Sequence, residues 1–270
     1  MKNILMTILL FAAIMAGAQE RITILHTNDT HSCIEPEKDG GAGALNRALI
    51  IEAIRDSVGA DNMLLLDCGD FSQGSLYYNT FKGSVEIEIM NAMGYNAGTI
   101  GNHEFDFGME NLARLARLAE FPLLCANYDF TGTPCEGVIV PHTIIERNGI
   151  KIGLFGLSPN PKGLISKNYY EGVKYTHPVE TAKQQVEELR NAGCAVVICL
   201  SHLGSGMKNN DCDDERLVAA TTGIDLVLGG HSHTYYKEPV KLPNADGKEV
   251  PMQQMNKNGR YLGYATLVFE

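Results

Sequence analysis

Five times along this chain an apolar run of strand length stops at side chains that can hold a cation. The five are ITILHTNDTH (Asp29, His31), MLLLDCGD (Asp67, Asp70), TIGNHEFD (Asn102, His103, Asp106), VVICLSHLG (His202) and LVLGGHSH (His231, His233). Buried polar groups are costly without partners, so such clusters need either solvent or an ion. In open α/β sheets, ligands sit beyond the carboxyl ends of the strands, and that geometry would bring all five clusters to one rim. The requirement for such a rim is the strongest constraint on the fold.

The remaining pattern agrees with an α/β chain, because apolar runs alternate with segments of helical period. Strands are expected over residues 22–26, 63–66, 98–100, 123–126, 138–146, 150–156, 195–200 and 226–228. Helices are expected over 44–55, 85–93, 111–119, 179–191 (ended by Gly193) and 215–222. Residues 250–254 and 261–269 read as a closing pair of strands. No internal repeat, low-complexity stretch or Pro/Ser-rich linker divides the chain, so one domain over residues 19–270 is expected.

Residues 1–18 read as a secretory signal peptide: Lys2, an apolar run over 4–15 too short to span a bilayer, then Ala16-Gly17-Ala18 before Gln19. Export, to a periplasm or the outside, follows as an expectation, with no membrane span. Removing the leader takes away one basic and no acidic residue, deepening a net charge that is already −10. A chain this acidic is a poor partner for a nucleic-acid polymer, whose backbone demands basic surface. The seven cysteines form no CxxC pair and are expected to be mostly small buried hydrophobes, with Cys125 and Cys135 the pair considered for a bridge.

Five of the eight histidines fall in the strand-end clusters, while His26, His142 and His177 do not. Glycines at 69, 101, 204, 229 and 230 let backbone come close to an ion. Imidazole mixed with carboxylate and amide oxygen suits Zn, Mn, Fe or Co better than Mg or Ca. The donors are too many for one tetrahedral ion, so two divalent metal ions are implied. Two cations ~3.5–4 Å apart activate water and clamp phosphoryl oxygens. In GNHEFDFG, Asn102 would offer its amide oxygen to a metal and His103 would serve the leaving group. Asp106 is near enough to fix one tautomer of that imidazole, and Glu104 is read as a cap of the next helix.

Taken in order, HTNDTH, GD with QG, GNHEFDFG, SHLG and GGHSH resemble the motifs of calcineurin-like metallophosphoesterases. The likeness is closest to the N-terminal catalytic domain of the 5′-nucleotidase and 2′,3′-cyclic-nucleotide phosphodiesterase family. The resemblance implies a four-layer α/β/β/α sandwich. It assigns Asp29, His31 and His233 to one metal, Asn102, His202 and His231 to the other, and Asp70 to both, leaving Asp67 structural. His103 and Asp106 take the place of a catalytic dyad beside in-line attack by a metal-bridging hydroxide.

Relatives of that group usually carry a second domain that stacks the nucleobase and grips phosphate. Here the chain stops at Glu270, so selection of a nucleotide or other small phosphate ester is expected to be loose, to come from loops such as SQGSLYYNTFKG, or to come from a separately encoded nucleotide-binding domain. Tyr77, Tyr78 and Phe81 are considered as base-stacking residues and read as ordinary packing. The alternative function is a catalytically silent subunit that binds metal and nucleotide for a separate substrate-binding chain. A metallohydrolase of non-phosphate esters is a third.

Overall fold

The computed structural model describes residues 19–269, so the expected leader over 1–18 lies outside the described residues. The chain runs through β1 (Glu20–Thr27), α1 (Ala44–Val58), β2 (Met63–Asp67), α2 (Leu76–Phe81), α3 (Ser84–Met93), β3 (Ala97–Thr99), α4 (Gly108–Leu118) and β4 (Leu123–Leu124). Next come β5 (Tyr128–Asp129), β6 (Ile139–Val140), β7 (His142–Arg147), β8 (Ile150–Leu157), β9 (Lys174–Tyr175) and α5 (Pro178–Asn191). It ends with β10 (Val196–Ser201), α6 (Asp214–Ala220), β11 (Leu226–Leu228), β12 (Val240–Pro243), β13 (Glu249–Gln253) and β14 (Gly263–Phe269).

Two six-stranded sheets carry the fold, ordered β14-β1-β2-β3-β4-β6 and β12-β13-β11-β10-β8-β7. Within the first, β1, β2, β3, β4 and β6 are parallel and β14 is an antiparallel edge. Within the second, β13, β11, β10 and β8 are parallel, with β12 and β7 as antiparallel edges. The sheets face each other across a core of Ile22, Ile24, Leu64, Leu66, Leu154, Ile198 and Leu228. Helices α1, α3 and α4 pack on the outer face of the first sheet, through Ile51, Ile87 and Leu112. Helices α5 and α6 cover the second, through Leu189 and Leu217. The result is the four-layer α/β/β/α arrangement.

Strands buried on both faces need continuous apolar sequence, and MLLLD in β2 has every residue buried. Helix α5 starts on Pro178, which fits the first turn, and the His177 side chain accepts from Val179 N–H. Burying each Ile or Leu of the inter-sheet core contributes about 1.5–3 kcal/mol.

Two expectations are corrected. The single strand over 138–146 is two, because Pro141 separates β6 from β7: proline lacks an N–H for a ladder, and the chain uses that break to pass from one sheet to the other. The closing pair is no pair, since β13 lies parallel to β11 in the second sheet while β14 lies antiparallel to β1 in the first. The cysteines agree with the expectation of small buried hydrophobes: all seven are free, six of them buried, and the Cys125 thiol lies 3.3 Å from the Ser158 hydroxyl.

Candidate metal centre

The strand ends deliver their clusters to one place. Asp29 and His31 follow β1, Asp70 follows β2, Asn102 and His103 follow β3, His202 follows β10, and His231 and His233 follow β11. The turns that carry them are unusual. Asp29, His31, Asp70, His231 and His233 all have left-handed backbone, with φ of 49°, 44°, 53°, 73° and 54°. Non-glycine residues are uncommon there, and their concentration at one rim marks a site where conformation serves something other than stability. Asp29 N–H bonds Gly69 O at 2.9 Å and His31 N–H bonds Asp70 O at 3.0 Å, so the first two turns hold each other.

Two groups of three donors result: Asp29, His31 and His233 in one, Asp70, His202 and His231 in the other, each with its ligand atoms within 4.8 Å of one another. In the first, the Nε2 atoms of His31 and His233 face each other at 3.0 Å, and His233 Nε2 is 3.3 Å from Asp29 Oδ1. In the second, His202 Nε2 lies 3.0 Å from Asp70 Oδ2 but out of line for a hydrogen bond, so that this buried nitrogen has no such partner. Its Nδ1 is fixed by Cys68 O at 2.6 Å, which aims Nε2 into the site. The Asn102 side-chain oxygen Oδ1 is buried without a partner. Orphaned acceptors, two imidazole nitrogens in mutual contact and a mixed N/O donor set fit divalent cations.

Gly101 closes the cradle. A Cβ there would collide with Asp70 Oδ1 and come within 2.6 Å of His202 Nε2. The charges are strongly coupled: against burial, the His202 imidazolium holds the Asp70 carboxyl well below its usual range, and Asp70 in turn holds His202 high. His231 goes the other way, pushed down to about 4 by burial and by His202.

Beside the triads, His103 Nδ1 and Asp106 Oδ2 are 3.0 Å apart, and the His103 ring lies 5.5 Å from that of His31. Asp67 stands outside both triads. Its carboxylate accepts from Thr27 Oγ1 at 2.6 Å and from Gly69 N–H at 2.9 Å, and burial pushes its pKa up to about 7.

A scan against protein families matches residues 22–235 to the calcineurin-like phosphoesterase model. The chain belongs to the calcineurin-like phosphoesterase family. A snake venom 5′-nucleotidase from Gloydius brevicauda is 32% identical over 284 residues, covering 96% of this chain and 47% of that protein. A 5′-nucleotidase precursor from Thermus thermophilus superposes with a TM-score of 0.81 at 29% identity, over 92% of this chain and 54% of the other. The calcineurin-like phosphoesterase YfkN of Bacillus subtilis gives 0.78 at 27% identity, over 94% of this chain and 86% of the other. The chain thus spans about half the length of the curated relatives it matches. The four-layer sandwich is the metallophosphatase fold.

Within this calcineurin-like frame the structure corrects the reading of Glu104. It does not cap a helix. Its buried carboxylate accepts from the N–H groups of Gly101 at 2.6 Å, Asp70 at 3.0 Å and Ser72 at 3.1 Å, tying the turn after β2 to the turn after β3. Burial, then the charge of Asp70, push it up to about 7. Asn28 was also missed: its amide donates to Asp29 Oδ2 at 2.6 Å and its carbonyl accepts from Met255 N–H at 2.9 Å. The signal for Glu104 was the run of N–H groups in the glycine turns, which need acceptors; Asn28 gave none, because its partners near Met255 lie far along the chain. Tyr78 is a packing residue, buried with its hydroxyl on His103 O at 3.1 Å, whereas Phe81 is half exposed.

Proposed function

We propose that this chain is an exported dinuclear-metal phosphoesterase, 5′-nucleotidase-like, that hydrolyses nucleotides or related small phosphate esters. The observation that carries this reading is the meeting of two three-donor groups, Asp29 Oδ1 of one lying 3.9 Å from His202 Nε2 of the other, together with the buried, partnerless side-chain oxygen of Asn102. Asp29, His31 and His233 would hold one ion and Asn102, His202 and His231 the other, with Asp70 shared between them. Zn, Mn, Fe or Co would suit the donors. Two such ions supply Lewis acidity and a nucleophilic water at neutral pH, and clamp the phosphoryl oxygens.

The chain's own residues do the rest. Asp106, 3.0 Å from His103 Nδ1, would fix the tautomer of a ring that lines the cleft, freeing Nε2 to hydrogen-bond a phosphoryl oxygen and to give a proton to the departing oxygen. Cys68 O and Ser72 O orient His202 and His31, at 2.6 and 3.3 Å from their Nδ1 atoms, as partners behind metal-binding imidazoles do.

Phosphate release should vanish on chelation and return with Mn or Zn. His103→Ala should lower kcat about 10²–10⁴-fold while the protein keeps its metal; full activity in that variant overturns the assignment of His103. Export rests on residues 1–18, and residues 19–270 would be the catalytic domain. A mature N-terminus at Gln19 in protein recovered outside the cytoplasm supports export, and an intact Met1 there refutes cleavage. Among the described residues no helix is long and apolar enough to cross a membrane.

A further inference from the structure

A cleft of about 560 Å³ opens beside the first triad, with His31, His103 and His233 in its lining. One wall is apolar, formed by Ile34, Leu76 and the ring of Tyr77. Leu76 is 83% exposed, the most exposed large hydrophobic side chain among the described residues, so the helix α2 presents it to the cleft instead of to the core. Apart from the imidazoles, the charged lining residues are Glu35 and Lys257. Glu35 is engaged, accepting from Tyr77 O–H at 2.7 Å. Lys257 has no carboxylate within ion-pair distance among the described residues, a condition it shares with every described lysine but Lys174 and Lys241.

The backbone around Lys257 is pinned. Asn258 N–H bonds Asp29 O at 2.7 Å, Asn28 Nδ2 bonds Asn256 O at 2.6 Å, and Asn256 N–H bonds Thr234 O at 2.8 Å. Asn256 and Asn258 are both left-handed, with φ of 63° and 61°. The backbone that carries this cation is thereby tied to the same turns that carry Asp29 and His233. Such preorganisation lowers the entropy lost when an anion is bound.

We propose that this cleft is the leaving-group subsite and that Lys257 makes it select esters whose leaving group carries its own negative charge, as a nucleoside diphosphate does. The inference rests on the phosphoesterase reading, in which His103 faces the departing oxygen. Water's oxygen forms the new bond to the terminal phosphorus and the bond to the bridging oxygen breaks. The nucleoside monophosphate leaves with that oxygen and its electron pair, its charge toward Lys257 and its planar base against Ile34, Leu76 and Tyr77.

The test compares kcat/KM for adenosine diphosphate with kcat/KM for p-nitrophenyl phosphate, whose leaving group is aromatic but has no second phosphate. In Lys257→Gln the ratio should fall about tenfold, the worth of one charge-assisted hydrogen bond, and Lys257→Arg should restore most of it. A ratio unmoved in Lys257→Gln overturns the proposal. If the metal-loaded wild-type chain releases phosphate from neither substrate, the phosphoesterase reading falls, and the subsite is judged on binding alone. Calorimetry with the methylene-bridged analogue of adenosine diphosphate should then give about tenfold weaker affinity for Lys257→Gln; equal affinities overturn it. Leu76→Gln should weaken the nucleotide analogue but not inorganic pyrophosphate, and equal loss for both refutes the apolar wall.

Discussion

His26 and His202 are both buried to zero exposure, one within β1 and the other just past β10, yet their surroundings drive them in opposite directions. His26 meets only the Gln253 amide, at 3.2 Å, and burial pushes its pKa down to about 4. His202 feels the same burial, but the carboxylates of Asp70 and Asp29 override it. Depth therefore does not make a histidine a ligand. Each ring keeps one nitrogen without a partner, Nδ1 in His26 and Nε2 in His202, so what separates the two is anionic company, and His26 serves instead as a neutral link between β1 and β13.

Replacing each histidine should break the comparison cleanly. His202→Ala should remove about half of the bound metal by elemental analysis and lower phosphate release about a thousandfold, as loss of several kcal/mol of charge stabilisation requires. Retained metal and rate would make His202 as structural as His26. Between the extremes stands Glu104, which touches no candidate ion but fixes the turn that presents Asp70. Glu104→Gln keeps the shape but sets an amide N–H₂ against backbone N–H groups, so metal affinity should weaken about 10–100-fold in a chelator competition; unchanged affinity would confine Glu104 to packing.

The smallest effect belongs to His26. Above pH 6.5 it is neutral in both folded and unfolded chains, so its contribution is fully present. As pH falls from 6.5 toward 4 the unfolded chain takes up a proton that the folded chain refuses, and stability drops by up to about 1.4 kcal/mol per pH unit. His26→Gln should leave phosphate release at pH 7 unchanged and flatten this limb in urea titrations. Equal pH slopes for the two proteins would show that His26 is not held neutral by the fold.

Much of this was legible in the sequence because two periodic signals met: apolar runs of strand length, and polar residues at the one end where parallel strands present ligands. The α/β class and the placing of ten strand-end residues at one rim follow from that alone. Pairing did not follow. Nothing local in VIVPHTIIE says that Pro141 changes sheet, and the partners of β13 and β14 are set by long-range contacts. Asp67 and Asp70 look equivalent in LLLDCGD, and only the hydrogen bonds from Thr27 and Gly69 separate them. Glu104 looked like a helix cap because a carboxylate before a helical pattern usually is one; its true partners lie in another loop.

The pairing of β14 with β1 has a practical bearing. Gly263 lies opposite His26, near the rim that carries the candidate ligands, and Phe269 lies opposite Glu20, at the far end of the sheet. Seven residues of extended strand cover roughly 23 Å. A fluorescent label or affinity handle joined directly after β14 would therefore emerge on the side remote from the cleft, next to a handle placed directly before Glu20, and a chain held at either point would leave the cleft facing the solution.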